Sequence, residues 1–349
     1  MKRTFRCFSV AVFLLLTSGV LPVFAWTGTL AWTYNAQFPI TSSIAVADGL
    51  ILAGDSVGNL HAVHAASGRA AWTYRGTNTV VGLPTVTGKM VIFAQADGTI
   101  TALSLADGAA IWKYAPSDGY AADTVVDGTT AGDDRVFFVK GDGKMYALSL
   151  SDGKELWTYD SGLELRNAPF FSDGIVYLGE QRGIFSAVSP RTGKRDWGGG
   201  AGGPINTPVT RDGNVYFSSW DGSVQSVRIK GVVPQWKADA GDPVTTPPFI
   251  GGGRVLAGTA NGRVVSLSAA DGTIQWSFDT GGGSVSAIPV LAEGYVFVGG
   301  GQGKLFVLSA ADGTSRFTFD TGGGINGTPA FSGGVLFLGS ADGNLYAHR

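Results

Sequence analysis

The chain has 349 residues, a formal net charge of −2 and no long basic run, so it lacks the electrostatic footprint of a nucleic-acid binder. Its 54 glycines are about twice the usual ~7%, yet with 14 prolines the sum stays below the ~25–30% that marks disorder. The composition therefore excludes a disordered chain and points to many tight turns around an apolar content of 44%. Residues 1–25 read as a secretory leader. Lys2, Arg3 and Arg6 form its basic start, 8–16 its apolar core, and 23–25 its cleavage site, with the cut after Ala25. The expected location is periplasmic or secreted, and a retained anchor is the alternative. The apolar run is too short for a transmembrane helix, and 26–349 contains no predicted span. It contains no cysteine either, so no disulfide supports the fold.

Residues 28–34 form a lone strand ending in Trp32-Thr33-Tyr34. A regular grammar follows. The first full unit has strands at 44–47, 50–54, 60–65 and 70–74, the last one carrying Trp72. Residues 147–157 show the unit's second half most clearly. Leu148 and Leu150 alternate with Ala147, Ser149 and Ser151, Asp152-Gly153 marks a hairpin turn, and a strand closes on Trp157. The closing aromatics are Trp32, Trp72, Trp112, Trp157, Trp197, Trp236, Trp276 and Phe317, at spacings of 40, 40, 45, 40, 39, 40 and 41. Such a period signals an array, and four short strands per period with no convincing helix signal a propeller blade. Eight aromatics predict an all-β, eight-bladed propeller filling 26–349 as a single domain. After 341–348 the chain stops one strand short of a blade, and 28–34 supplies the missing strand, closing the ring and removing its free edges.

One tryptophan per blade at constant register predicts inter-blade packing, with each indole N–H finding a backbone acceptor. Phe317 keeps the area without the donor, so its joint should lack one hydrogen bond. Thirteen aspartates precede glycine, and these pairs are expected at hairpin corners, where Asp bonds its own turn backbone. No calcium-loop spacing occurs, so no metal site is expected. His61 and His64 stand three apart in a strand and point to opposite faces. The stretch 120–134 is expected to be a polar surface loop, and the glycine runs 198–203, 281–283 and 322–324 to be connections between blades. The innermost strands offer a ring of Thr41, Arg166, Asn206, Thr245, Ser286 and Asn326 around the channel. It reads as a hydrated lining, or as a ligand ring in which Arg166 holds a carboxylate, with Asn206 and Asn326 beside it. Bulky or charged departures from the repeat gather in blades three to five. Tyr120, Glu180, Arg182 and the off-register Trp220 are the candidates for contact with a partner.

The sentence at 147–157 resembles the tryptophan-docking repeat of pyrroloquinoline-quinone (PQQ) dehydrogenases, and equally that of BamB-type periplasmic propellers. The second resemblance implies a monomeric, non-catalytic extracytoplasmic scaffold that binds a protein partner in the cell envelope, within outer-membrane protein assembly. The first implies a quinoprotein oxidoreductase with PQQ in the channel; a small-ligand-binding propeller is a further alternative. The dehydrogenases are longer and carry a vicinal disulfide, calcium-ligating carboxylates and a catalytic Asp, which this chain does not match. Cys7 precedes the apolar core of the leader, unlike the lipid-anchoring cysteine of the assembly lipoproteins. The scaffold without cofactor is therefore the expected function.

Overall fold

The computed structural model describes residues 26–115, 125–163, 165 and 167–349. The leader 1–25, Tyr120 and Arg166 lie outside the described residues. Eight four-stranded antiparallel sheets follow one another around a ring, and no helix occurs among the described residues. In blade one the strands are Ala45–Ala47, Leu50–Gly54, Leu60–His64 and Ala70–Tyr74, paired in that order from the inside outwards. The second strand is buried along its whole length, while the fourth alternates exposed and half-buried residues. A strand flanked by two blades needs apolar side chains on both faces, and an outer edge needs them on one.

The core lies between the blades. Leu50, Leu52, Leu60 and Ala62 of blade one, for example, pack on Val80, Val91, Phe93 and Leu103 of blade two. The closing strand Leu30–Asn35 pairs antiparallel with Asn344–His348, so the two ends of the chain share blade eight. In all eight blades the third and fourth strands slip register at one equivalent position, as between Ala62 and Val63, Ala187 and Val188, or Leu30 and Trp32 in the closing pair. This β-bulge re-aims the aromatic beside it and twists the exposed edge.

Two expectations are corrected. Residues 125–132 are not loop but the inner strand of blade three, Val125–Gly132, paired with Arg135–Lys140. Its register shifts between Val125 and Thr129, so Asp127-Gly128 forms a bulge within a strand instead of a hairpin corner. The inner strand of blade two, Val80–Thr87, shifts in the same way between Val81 and Thr85. There Gly82 lies against Gly128 so closely that a Cβ would sit 2.4 Å from its Cα. The second correction concerns the run 198–203. Gly198–Gly200 belong to the outer strand of blade four, Arg195–Gly200, and only 201–203 cross to blade five.

Candidate functional site

The aromatic positions form the joints. Trp32 Nε1 donates to Ala65 O (2.8 Å), Trp72 to Leu105 O (3.0 Å), Trp112 to Leu150 O (2.9 Å) and Trp157 to Pro190 O (3.0 Å). Trp236 donates to Ala269 O (3.0 Å) and Trp276 to Ala310 O (2.9 Å). Each acceptor sits in the next blade's outer hairpin, and that hairpin's glycine lies under the indole. A Cβ on Gly153 would meet Trp112 at 2.5 Å, and one on Gly272 would meet Trp236 at 2.5 Å. Trp197 differs. It stands edge-on to Tyr177 and Phe185, and no acceptor for its N–H is found among the described residues. The hairpin it faces has lost the Asp-Gly turn and runs through Lys230-Gly231-Val232. Beside it the buried Tyr177 hydroxyl has no hydrogen-bond partner, and burial pushes its pKa up to about 12.

The innermost polar residues staple neighbouring blades. Thr41 Oγ1 donates to Val80 O (2.7 Å), Asn167 Nδ2 to Ile205 O (2.8 Å) and Thr245 Oγ1 to Val285 O (2.9 Å). Asn206 is buried, and its Nδ2 donates to Ser218 Oγ, Val244 O and Thr246 O, so its amide donors are directed to these residues of blades five and six. Ser286 and Asn326 remain exposed. Among the described residues no three His, Asp or Glu side chains gather closely enough to hold a metal ion. The turn aspartates are engaged locally. Asp97, Asp142, Asp221 and Asp342 each accept the backbone N–H two residues on, at 2.9–3.0 Å. A quinone held with calcium therefore finds no fitting donor set in the described ring.

His61 is buried, with Nε2 3.1 Å from Asp55 Oδ2 and Nδ1 3.2 Å from Tyr34 Oη, whereas His64 is exposed. Asp55 also accepts from Asn59, and these hydrogen bonds outweigh the penalty of burial to hold its carboxyl below the usual range.

The turns between second and third strands share one face with the connections between blades. Ser56 N donates to Pro39 O, Trp220 N to Pro204 O and Ala260 N to Pro243 O, each at 2.9 Å. On this face Trp220 is 54% exposed, and Phe38 and Val57 are exposed at another joint. Connection 201–203 is fastened at both ends, by Ala201 N to Gly183 O (2.6 Å) and Gly202 N to Asp221 Oδ2 (2.9 Å). It thus bridges the turn of the exposed Arg182 to the turn of Trp220 with almost no side chain between them. Glu180 does not reach this surface. It is 2% exposed and accepts a hydrogen bond from Ser186 Oγ (2.5 Å). It directly follows a second strand and forms an isolated β-bridge, as Asp55 and Ser219 do in their blades, which its departure from the repeat concealed. The reading from sequence also missed Trp26 and the Asp55–His61–Tyr34 network.

The family model described as outer membrane protein assembly factor BamB matches residues 18–131, 122–231, 198–290 and 261–348. No curated protein matches the chain by sequence. Among solved structures, BamB from Moraxella catarrhalis superposes with a TM-score of 0.77 at 19% identity, covering 92% of this chain and 99% of that one. The computationally designed Ika8 protein gives 0.75 at 17% identity, over 90% of this chain and 97% of its own. Quinohemoprotein alcohol dehydrogenase from Comamonas testosteroni gives 0.74 at 13% identity, over 91% of this chain and 76% of its own. These likenesses establish the propeller fold, and the model matches run through nearly the whole chain: the protein belongs to the family of the outer membrane protein assembly factor BamB.

Proposed function

We propose that this protein is a non-catalytic scaffold of the cell envelope, exported by cleavage after Ala25, that binds a protein partner through the face bearing Trp220 and Arg182. The partner is a module of outer-membrane protein assembly. The observation that carries the reading is Trp220. It is a large aromatic outside the docking register, 54% exposed, beside a connection whose side chains leave the backbone open. Exposed tryptophan and arginine are the residue types that most often dominate protein–protein contacts. A partner strand approaching this side-chain-poor edge would add backbone hydrogen bonds, with Trp220 filling a pocket on the other side.

The test is capture of partners by the protein from its own envelope, followed by titration of the captured partner. Trp220→Ala with Arg182→Ala should weaken binding by about 2 kcal/mol or more, roughly thirtyfold. Unchanged affinity would discard this face. Native mass spectrometry of the envelope-purified protein is the second readout, and extra mass matching PQQ with calcium would overturn the scaffold.

A further inference from the structure

We propose that Trp26 is a latch that holds the ring closed, supplying to the joint between blades seven and eight the aromatic that Phe317 does not. The argument begins with the broken hairpin of blade eight. In blades one to seven the third and fourth strands are joined by a hairpin, but in blade eight the third strand, Asn344–His348, pairs with a fourth that comes from the other end of the chain. The two ends meet like an intact hairpin. Arg349 N donates to Thr29 O (2.9 Å), as His64 N does to Arg69 O (2.8 Å) in blade one. Thr29 N and Thr27 Oγ1 return hydrogen bonds to Arg349 O at 2.9 and 2.8 Å. Gly28 thus stands in register with Gly68, with φ of 72° against 69°.

What differs is the aromatic. Gly68 lies under Trp32 of the preceding blade, whereas a Cβ on Gly28 would meet Phe319 at 2.6 Å and Trp26 at 3.3 Å. Phe317 is 38% exposed, against 7% for Trp276 one blade earlier. The buried ring at this joint is Trp26, 4% exposed, inserted from the side of the broken hairpin. Its centroid lies 5.1 Å from Phe297, 5.9 Å from Tyr295 and 6.1 Å from both Phe317 and Phe319. Its Nε1 donates to His348 O at 3.3 Å, tying the ring to the last strand. The docking is reversed: elsewhere a blade reaches forward to the next hairpin, and here the hairpin reaches back. Because no peptide bond joins Arg349 to this segment, release of Trp26 frees Leu30–Asn35 and bares the edge of Asn344–His348.

The experiment compares chains beginning at Trp26 and at Thr27, together with Trp26→Ala and Trp26→Phe, by hydrogen exchange below the melting transition. Loss of Trp26 should accelerate exchange in Leu30–Asn35 and Asn344–His348 about tenfold or more, with blades two to five unchanged. Trp26→Phe should recover most of the protection, because ring area is kept. Trp276→Ala, at a covalently continuous joint, should leave Leu30–Asn35 protected. Unchanged exchange at the closing strand, or equal acceleration in every blade, would overturn the latch. If the alanine variant does not fold, the phenylalanine variant and the parent chain decide. A closing strand that opens no sooner than Ala110–Tyr114, the outer strand of blade two, in both would overturn it equally.

Discussion

Replacing Trp276 by Phe removes one hydrogen-bond donor and leaves the carbonyl of the buried Ala310 without its partner. That loss should cost about 1–3 kcal/mol, because a buried acceptor left unmet loses water without recompense. Trp197→Phe removes a donor that has no acceptor among the described residues, so it should cost less than about 1 kcal/mol. Trp276→Ala should cost about 3–5 kcal/mol through the cavity it opens. Urea denaturation midpoints of the three variants check the series, and equal costs for the two phenylalanine variants would refute the distinction. The tryptophan register was legible in the sequence because each joint repeats one contact every ~40 residues, which is how an array announces itself. Trp26 was not legible, since it precedes the first repeat and its partners lie near the other end of the chain. Glu180 was misread for the opposite reason. Its position changes residue type in almost every blade, Asp55, Gln95, Lys140 and Ser219 among them, so burial left no pattern to follow.

At the level of elements, blades two and three stand apart. Their inner strands have eight residues each where the other six have three, and the extra length is taken up by the facing bulges at Gly82 and Gly128. Thr85 and Thr129 hydrogen-bond across the same joint, through Thr85 Oγ1 to Thr129 O (2.6 Å) and Thr129 Oγ1 to Thr85 Oγ1 (2.9 Å). Gly82→Ala sets a Cβ against the backbone of Gly128 and also requires a positive φ of 67°. Gly88→Ala requires a similar φ of 57° with nothing within 4 Å. The second change should cost about 1 kcal/mol from strain alone, and the first clearly more, because backbone cannot move aside as a side-chain tip can. Comparing the two melting curves tests this, and equal losses would show that the bulges do not touch. Residues 125–130 carry Val-Val and Thr-Thr runs that suit a strand, but the stretch reads as a loop because Asp127-Gly128 is the same dipeptide that turns hairpins elsewhere. Only the pairing partner separates a bulge from a turn. For the contact face, the loops of Arg182 and Trp220 could be placed from the strand order alone. The fastening of 201–203 between them depends on Gly183 O and Asp221, whose alignment no periodicity encodes.

For the molecule as a whole, ring closure should respond to acid through His348. This side chain is buried in the closing joint, 4.4 Å from the Phe319 ring and 6.5 Å from Tyr346, with Nδ1 3.1 Å from Gly28 O. Burial lowers its pKa below the ordinary 6.5, against a smaller opposing pull from the Gly28 carbonyl. The unfolded chain therefore binds the proton first as pH falls. The stability that neutral His348 contributes is complete above pH ~6.5 and is lost as pH falls through that value toward the folded pKa. Asp55, whose pKa is lowered from 3.8, withdraws its contribution only in stronger acid, so the two windows separate. His61 faces the same closing strand through Tyr34 and must be distinguished from His348. Hydrogen exchange corrected for intrinsic rate, followed from pH 7 to about 5, should show Leu30–Asn35 losing protection while Ala110–Tyr114 does not. In His348→Asn the dependence should vanish, and in His61→Asn it should persist. Were His61→Asn the variant that abolished it, the acid-sensitive contact would lie between blades eight and one, where Tyr34 meets His61, and not at the joint that Trp26 fills.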